Sequence, residues 1–210
     1  MPQTSVESRI RSVPLSSFPV GPETTQADSH FWACVDEWWK EENDRVHFFV
    51  CGDASPADDA ATFNQKLTPG VDLFAIEKKS GEGPWEPVGH FFLSTDPTVL
   101  KNLWICETPD RDTLVWFDYI LLSKEARGLG IFGNVFQLVK KHIHEVYQRS
   151  ILALNVFDLN EPARSIYLMM NFKEVGLEEK RVPDGVYCST LNLKPGDHCT
   201  LRYYVLQTHE

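Results

Sequence analysis

Short segments rich in apolar residues recur along the chain between polar and turn residues, and they predict β-strands. The clearest segment is the run Leu114–Leu122, and Ile151–Phe157 has the composition of a buried strand. Shorter strands are predicted at Arg9–Val13, His47–Cys51, Val71–Ile76, Pro87–Leu93, Asn102–Cys106, Phe172–Val175 and Thr200–Leu206. The long segment Gly176–Cys199 before the last strand is predicted to be a loop.

Two segments in the second half of the chain have helical periodicity. After Gly130, apolar residues recur at a spacing that predicts an amphipathic helix: Ile131, Phe132, Val135, Phe136, Val139, Ile143 and Val146. A second helix is predicted to begin at the cap Asn160, with Pro162 in its first turn, and to end at Asn171 in a left-handed conformation. Earlier helices are predicted from Phe31 towards Glu42, capped by Asp28 or Ser29, and over Ala60–Leu67. The order of elements indicates an α/β (α+β) protein with a mixed sheet flanked by helices.

A glycine-rich turn, Arg127–Gly133, joins the strongest strand to the strongest helix. Its glycines, Gly128, Gly130 and Gly133, allow the backbone to approach a ligand closely. The helix start adds partial positive charge, so a phosphate or diphosphate is the expected ligand.

The same glycines satisfy the pattern G-x-G-x-x-G, and Asp158 follows the next strand, where a dinucleotide-binding protein has its ribose-binding acid. Five residues, 123–127, separate the strand from the first glycine, which does not fit that motif well. An NAD(P)-binding oxidoreductase and a purely structural tight turn therefore stay open as alternatives.

The turn and the second helix together resemble the GNAT superfamily of N-acetyltransferases. Motif A of that family, Q/R-x-x-G-x-G/A, corresponds to Arg127, Gly130 and Phe132. Motif B, N-x-x-A-x-x-x-Y-x-x-x-G-F, corresponds to Asn160, Ala163, Tyr167, Asn171 and Phe172. The resemblance covers about residues 114–176, with two departures: Phe132 replaces a small residue and Asn171 replaces a glycine.

The resemblance implies a mostly antiparallel mixed sheet, acetyl-CoA as cofactor and direct transfer of the acetyl group to a primary amine. It assigns pyrophosphate binding to the turn residues Arg127, Gly128, Leu129, Gly130, Ile131, Phe132 and Gly133. Pantetheine is expected along Ile120, Leu121 and Leu122, with the Leu122 N–H polarising the thioester carbonyl. Asn160 is expected to contact the cofactor, with helix capping alone as the alternative.

Two residues are expected to carry the proton transfers. Tyr167 matches the family's general acid for the departing thiolate, and a core tyrosine is the alternative. Asp118 is the candidate base for the amine, because an acid within an apolar strand needs a partner or a function. In a regular strand it would share a face with Ile120 and Leu122; a surface acid on an edge strand is the alternative. His90 is a weaker candidate, with a core histidine as the alternative.

Composition narrows the expected partners and location. The net charge of −10 argues against nucleic acid, and no apolar run is long enough to span a bilayer. The five cysteines are odd in number and contain no Cys-x-x-Cys pair, a poor pattern for a disulfide framework or a zinc site, so we expect a cytoplasmic protein. The length of 210 residues fits a single domain over residues 1–210.

The expected partner is a small-molecule or peptide amine, and a homodimer is compatible with the sequence. Acids beside aromatic residues in the early helices and the last loop favour a cationic acceptor, including Glu41, Glu42, Asp44, Asp58, Asp59, Glu178, Glu179 and Asp184. Packed tryptophans under a solvated acidic rim are the alternative explanation. A catalytically silent acyl-CoA-binding module is a further alternative to the enzyme.

Overall fold

A computed structural model describes residues 6–14, 22–40, 70–96, 111–181, 194 and 196–208 of the chain. In chain order the elements are β1 (Val6–Val13), α1 (Gln26–Lys40), β2 (Val71–Ser80), β3 (Glu86–Ser94), β4 (Leu114–Leu122), α2 (Ile131–Glu145), β5 (Ile151–Phe157), α3 (Glu161–Met169), β6 (Lys173–Arg181) and β7 (His198–Gln207). Short 3-10 turns at Arg111–Thr113 and Lys124–Ala126 flank β4.

The seven strands form one sheet in the order β1-β2-β3-β4-β5-β7-β6. All neighbouring strands are antiparallel except β4 and β5, which are parallel and are connected through α2. The strand β7 lies between β5 and β6, so the last strand of the chain is internal and β6 is at the edge. The predicted mixed, mostly antiparallel sheet is confirmed.

The two parallel strands pair over only part of their length. Leu114–Trp116 of β4 pairs with Ile151–Ala153 of β5, and the described pairing stops there although both strands continue. From Trp116 onward the strands therefore separate, and the gap between them opens towards the turn that leads into α2.

A bulge interrupts β4 just where the strands separate. Phe92 of β3 pairs with Asp118 while His90 pairs with Leu121, so β4 contains one extra residue in this interval. Tyr119 has a φ of 50°, a left-handed conformation that non-glycine residues seldom adopt. The bulge corrects the expectation that Asp118 shares a face with Ile120 and Leu122, because the alternation of side chains is broken between them.

The two faces of the sheet are covered by different helices. The larger core lies under α2 and α3 and includes Phe91, Phe117, Val135, Leu154 and Tyr167. On the opposite face, α1 packs through Phe31, Trp32 and Val35 on β1, β2 and β3. A third cluster on β4, β5 and β7 includes Trp116, Ala153, Leu201 and Tyr203.

The ends of several elements differ from the sequence-based expectation. The helix α1 begins at Gln26, and Thr25 precedes it with a hydroxyl that accepts a hydrogen bond from the Asp28 N–H, so Asp28 lies within the first turn rather than at the cap. Both ends of the segment Gly176–Cys199, which was expected to be a loop, are strand, since β6 extends to Arg181 and β7 begins at His198. Residues 182–193 and 195 of that segment lie outside the described residues. Cys199 takes part in a disulfide bond, which the cysteine pattern did not predict. The expected elements His47–Cys51, Ala60–Leu67 and Asn102–Cys106 lie outside the described residues.

Candidate active site

The separation of β4 and β5 forms a cavity of about 680 Å³. One wall is β4 from Phe117 to Leu122, and the other consists of β5 and α3, including Asn155, Asn160 and Tyr167. Arg127 and Phe132 of the glycine turn also line the cavity. So do Lys180 of β6 and Leu201 and Tyr203 of β7. The cavity therefore brings together groups from elements that are far apart in the sequence.

The glycine turn presents an uncapped helix start. Gly130 is the N-cap of α2 with a φ of 71°, no side chain caps the helix, and no acid lies in the first turn. Gly128 has a φ of 75°, and a Cβ atom at either glycine would meet no described atom within 4 Å. The first N–H groups of a helix lack partners within the helix, so this turn offers donors and partial positive charge to an anion.

Phe132 does not close the cavity. Its half-buried ring lies 6.4 Å from the ring of Phe136 and 6.3 Å from that of Tyr167, measured between centroids. The ring thus forms part of the wall between the turn and α3, and the gap between the strands stays open beside it.

Tyr167 lies in the wall opposite β4 and is only 6% exposed. Its ring contacts Phe132 and Phe172, which fix its orientation. Burial raises the pKa of the phenol well above its usual value, and the negative charge of Asp118 raises it further. The phenol is therefore protonated at neutral pH, the state that a proton donor requires.

Asp118 lies on the cavity wall at the β4 bulge. Its Oδ1 accepts a hydrogen bond of 2.8 Å from the N–H of Tyr119. Since Asp118 is paired with Phe92, it is directed towards the face that carries α1, whereas Ile120 and Leu122 pack with the core under α2. It is half-buried in the gap between strands rather than on an exposed sheet edge.

The backbone of Leu122 is directed into the gap. The N–H of the next residue, Ser123, donates to Val88 O of β3 at 2.8 Å. Backbone groups of successive strand residues point to opposite sides, so the N–H and C=O of Leu122 point away from β3 and towards the cavity. Consistent with this direction, Leu122 O accepts a hydrogen bond of 2.9 Å from Arg127 Nε.

The remaining candidates divide between the cavity and the core. Asn160 caps α3, accepting a 3.3 Å hydrogen bond from the Ala163 N–H through Oδ1, and it also lines the cavity. His90 is fully buried between Trp38 and Phe92 and is not part of the described cavity wall. Burial lowers the pKa of His90 to about 3, so it is a neutral core histidine.

Eight of the predicted site residues line the cavity: Asp118, Ile120, Leu121, Leu122, Arg127, Phe132, Asn160 and Tyr167. The other five, Gly128, Leu129, Gly130, Ile131 and Gly133, form the turn and first helical residues between or beside Arg127 and Phe132. The Ile131 side chain is buried in the core, so only its backbone can meet a ligand.

Sequence reasoning missed Asn155, Lys180 and Tyr203, which also line the cavity. A polar Asn155 within the apolar strand Ile151–Phe157 was a usable signal. Lys180 and Tyr203 gave none, because only the placement of β7 beside β5 brings them to the cavity.

The dinucleotide alternative does not fit this geometry. Asp158 Oδ1 accepts a hydrogen bond of 3.3 Å from the Thr200 N–H, and Asp158 is not among the described cavity residues. A dinucleotide-binding domain is built on a mostly parallel sheet, whereas among the described strands only β4 and β5 are parallel to each other.

Solved structures of acetyltransferases share this architecture. Spermidine N-acetyltransferase from Vibrio cholerae, solved with CoA and spermine, aligns with 96% of this chain and 96% of its own at a TM-score of 0.58 and 13% identity. An N-acetyltransferase from Staphylococcus aureus Mu50 aligns with 96% of this chain and 99% of its own, with a TM-score of 0.54 and 14% identity. The chain has the GNAT acetyltransferase fold.

A third GNAT structure, yncA from Salmonella typhimurium with its cofactor acetyl-CoA, aligns with 97% of this chain and 95% of its own at a TM-score of 0.56 and 11% identity. No protein-family model and no curated protein sequence matches the chain. The GNAT likeness therefore rests on the course of the backbone, together with the two sequence motifs.

The helices in the described part of the chain are too short or too polar to cross a membrane. Within the same residues, no group of three or more His, Cys, Asp or Glu side chains is placed to bind a metal ion.

Proposed function

We propose that the protein is an acetyl-CoA-dependent N-acetyltransferase that moves an acetyl group directly to a primary amine. The observation that carries this proposal is the gap between β4 and β5, which has an uncapped helix start at one part and Asp118 and Tyr167 on its walls. The structures of spermidine N-acetyltransferase with CoA and of yncA with acetyl-CoA support the choice of cofactor.

The residues present fit the cofactor. A diphosphate needs N–H donors and no competing acid, and the start of α2 at Gly130 has no side-chain cap and no acid in its first turn. A pantetheine arm needs a narrow groove lined by backbone polar groups. The part of β4 that is not paired with β5 lines such a groove at Ile120–Leu122, where the Leu122 N–H points away from β3. The Asn160 side chain caps α3 through Oδ1, which leaves its NH₂ group as a donor to the cofactor.

When bound, acetyl-CoA supplies the acetyl group as a thioester with a thiolate as its leaving group. Asp118 accepts a proton from the amine, directly or through a water molecule, so that the neutral nitrogen can attack. The Leu122 N–H donates a hydrogen bond to the carbonyl oxygen as negative charge develops there. Tyr167 donates its phenolic proton to the departing sulfur.

The acceptor is assigned only as a primary amine on a small molecule or a peptide. The preference for a cationic acceptor stays a prediction, because most of the acids behind it lie outside the described residues. Of the two that are described, Glu178 is paired with Lys180 and Glu179 accepts from the Thr200 hydroxyl at 2.9 Å. A homodimer and a cytoplasmic location also stay predictions, and the disulfide of Cys199 does not favour a reducing compartment.

Two assays on the purified protein test the proposed function. Acetyl-CoA should raise the melting temperature, while NAD and NADP should leave it unchanged. Thiol release from acetyl-CoA should depend on an added primary amine. If acetyl-CoA binds but no amine of a broad panel causes thiol release, the result would support the silent acyl-CoA-binding module. Stabilisation by NAD or NADP would support the oxidoreductase.

A further inference from the structure

Three charged side chains lie on the described part of the cavity wall: Asp118, Arg127 and Lys180. Arg127 belongs to the turn assigned to the diphosphate, and its Nε is bonded to Leu122 O. Two charged groups therefore remain to bind the acceptor: the carboxylate of Asp118 on β4 and the ammonium group of Lys180 on β6.

Lys180 is held in place by a carboxylate on its own strand. Its Nζ donates to Glu178 Oε1 at 2.6 Å, and the hydroxyl of Tyr203 donates to Glu178 Oε2 at 2.8 Å. Glu178 is not among the described cavity residues, so it fixes Lys180 and Tyr203 from outside the wall. An ammonium group has three N–H donors, and the bond to Glu178 uses one of them.

The sheet places Lys180 on the same side of the cavity as Asp118. Tyr203 pairs with Asn155 of β5, and its ring centroid lies 6.4 Å from that of Trp116, two residues before Asp118. Trp116 and Tyr203 belong to one cluster on the face opposite α2. Asp118 is directed towards that face through its pairing with Phe92. Four polar side chains of the cavity wall therefore lie in this order across the sheet: Asp118 of β4, Asn155 of β5, Tyr203 of β7 and Lys180 of β6.

We propose that the acceptor is an amino acid or a similar dipolar amine, with its carboxylate bound by Lys180 and its amino group held at Asp118. This inference rests on the proposed function and names the substrate class of the same site. A carboxylate matches the ammonium of Lys180 in charge and forms short, charge-assisted hydrogen bonds with it. A diamine has no carboxylate to accept from the N–H donors of Lys180 that the bond to Glu178 leaves over.

The test compares amines that differ only by an α-carboxylate. Suitable pairs are phenylalanine with phenethylamine, histidine with histamine, and arginine with agmatine, which cover apolar, aromatic polar and cationic side groups. In the pair that is turned over fastest, we expect the amino acid to have a KM lower by roughly 10-fold to 100-fold, the range of one charge-assisted hydrogen bond.

The variant Lys180→Met keeps the long apolar stem and removes the charge. In this variant the two members of each pair should have similar KM values, while the Kd for CoA should stay unchanged. Because the same two amines are compared in the wild type and in the variant, their difference in basicity cancels. Lys173→Met is the matched control, since this exposed lysine lies on the same strand and outside the described cavity wall.

The possible results separate the inference from the proposed function. Equal or lower KM values for the amines without carboxylate, or an unchanged preference in Lys180→Met, would overturn the dipolar acceptor while leaving acetyl transfer in place. If no member of any pair causes thiol release although acetyl-CoA binds, both acetyl transfer to these amines and the dipolar acceptor are contradicted.

Discussion

Tyr167 and Asp118 lie on opposite walls of one cavity, near enough for the carboxylate to raise the pKa of the phenol. One is on α3 and the other at the bulge of β4, 49 positions apart in the sequence. The arrangement places a proton donor and a proton acceptor on either side of the gap between β4 and β5. The proposed acid–base transfer requires such an arrangement.

Replacement of Tyr167 by Phe should lower kcat by roughly 10²-fold to 10⁴-fold, the usual contribution of a positioned general acid. The Kd for CoA should stay the same, because the ring contacts with Phe132 and Phe172 are retained. Steady-state thiol release and calorimetric titration of CoA measure the two quantities. The control is Tyr204→Phe, which removes a buried hydroxyl bonded to Glu174 outside the described cavity wall. Equal loss of kcat in both variants would show that Tyr167 has only a structural role.

Replacement of Asp118 by Asn should lower kcat/KM at pH 7 by roughly 10²-fold or more, because the amine then has no base. Asn keeps an Oδ1 that can accept from the Tyr119 N–H, so the bulge should be retained. As pH rises towards the pKa of the free amine, activity should recover, since the acceptor loses its proton to solvent. A pH–rate profile measures this recovery. Asp158→Asn is the control, and a profile in Asp118→Asn that stays parallel to the wild type would contradict the base assignment.

Replacement of Gly130 by Ala should weaken CoA binding by roughly tenfold or more, since the Cβ would enter the open side of the turn. The left-handed φ of 71° should also lower the free energy of unfolding by roughly 1–2 kcal/mol. Gly81→Ala separates the two effects, because Gly81 has a φ of 59° in the turn between β2 and β3 and nothing within 4 Å of its added Cβ. Chemical denaturation should show a similar loss of the free energy of unfolding in both variants. Titration of CoA should show weaker binding only in Gly130→Ala.

Stability should depend on pH through His90. Burial lowers the pKa of folded His90 to about 3, below the ordinary value of 6.5, so between these values the unfolded chain binds a proton that the folded chain excludes. The free energy of unfolding should therefore fall as pH drops from about 6.5 towards 3, by at most about 1.4 kcal/mol per pH unit from this residue. Urea denaturation at several pH values should show a shallower slope for His90→Asn than for the wild type. An unchanged slope in His90→Asn would contradict the assignment.

The sequence predicted the elements around the gap more closely than the rest of the fold. The bounds of β4 and β5 agree with the predicted strands, because each is an apolar run ended by polar or turn residues. The Asn160 cap and the left-handed Asn171, with a φ of 65°, are confirmed because each conformation depends on local chemistry.

The bulge and the far part of the cavity could not be predicted in this way. A strict period of two put Asp118 in phase with Leu122, and nothing about the residue type of Tyr119 signals a positive φ. Lys180 and Tyr203 meet the cavity only because β7 lies between β5 and β6. That pairing joins residues distant in sequence, which local patterns do not specify.

The most direct measurement is a crystal structure of the protein with CoA bound. We expect a diphosphate on the turn between Arg127 and Gly133, at N–H groups other than those of these two residues, which are bonded to Lys124 O and Gly130 O. We also expect a pantetheine arm between β4 and β5, with its sulfur within hydrogen-bond reach of the Tyr167 hydroxyl. A cofactor bound elsewhere, or the sulfur directed away from Tyr167 with Asp118 remote from it, would contradict the account.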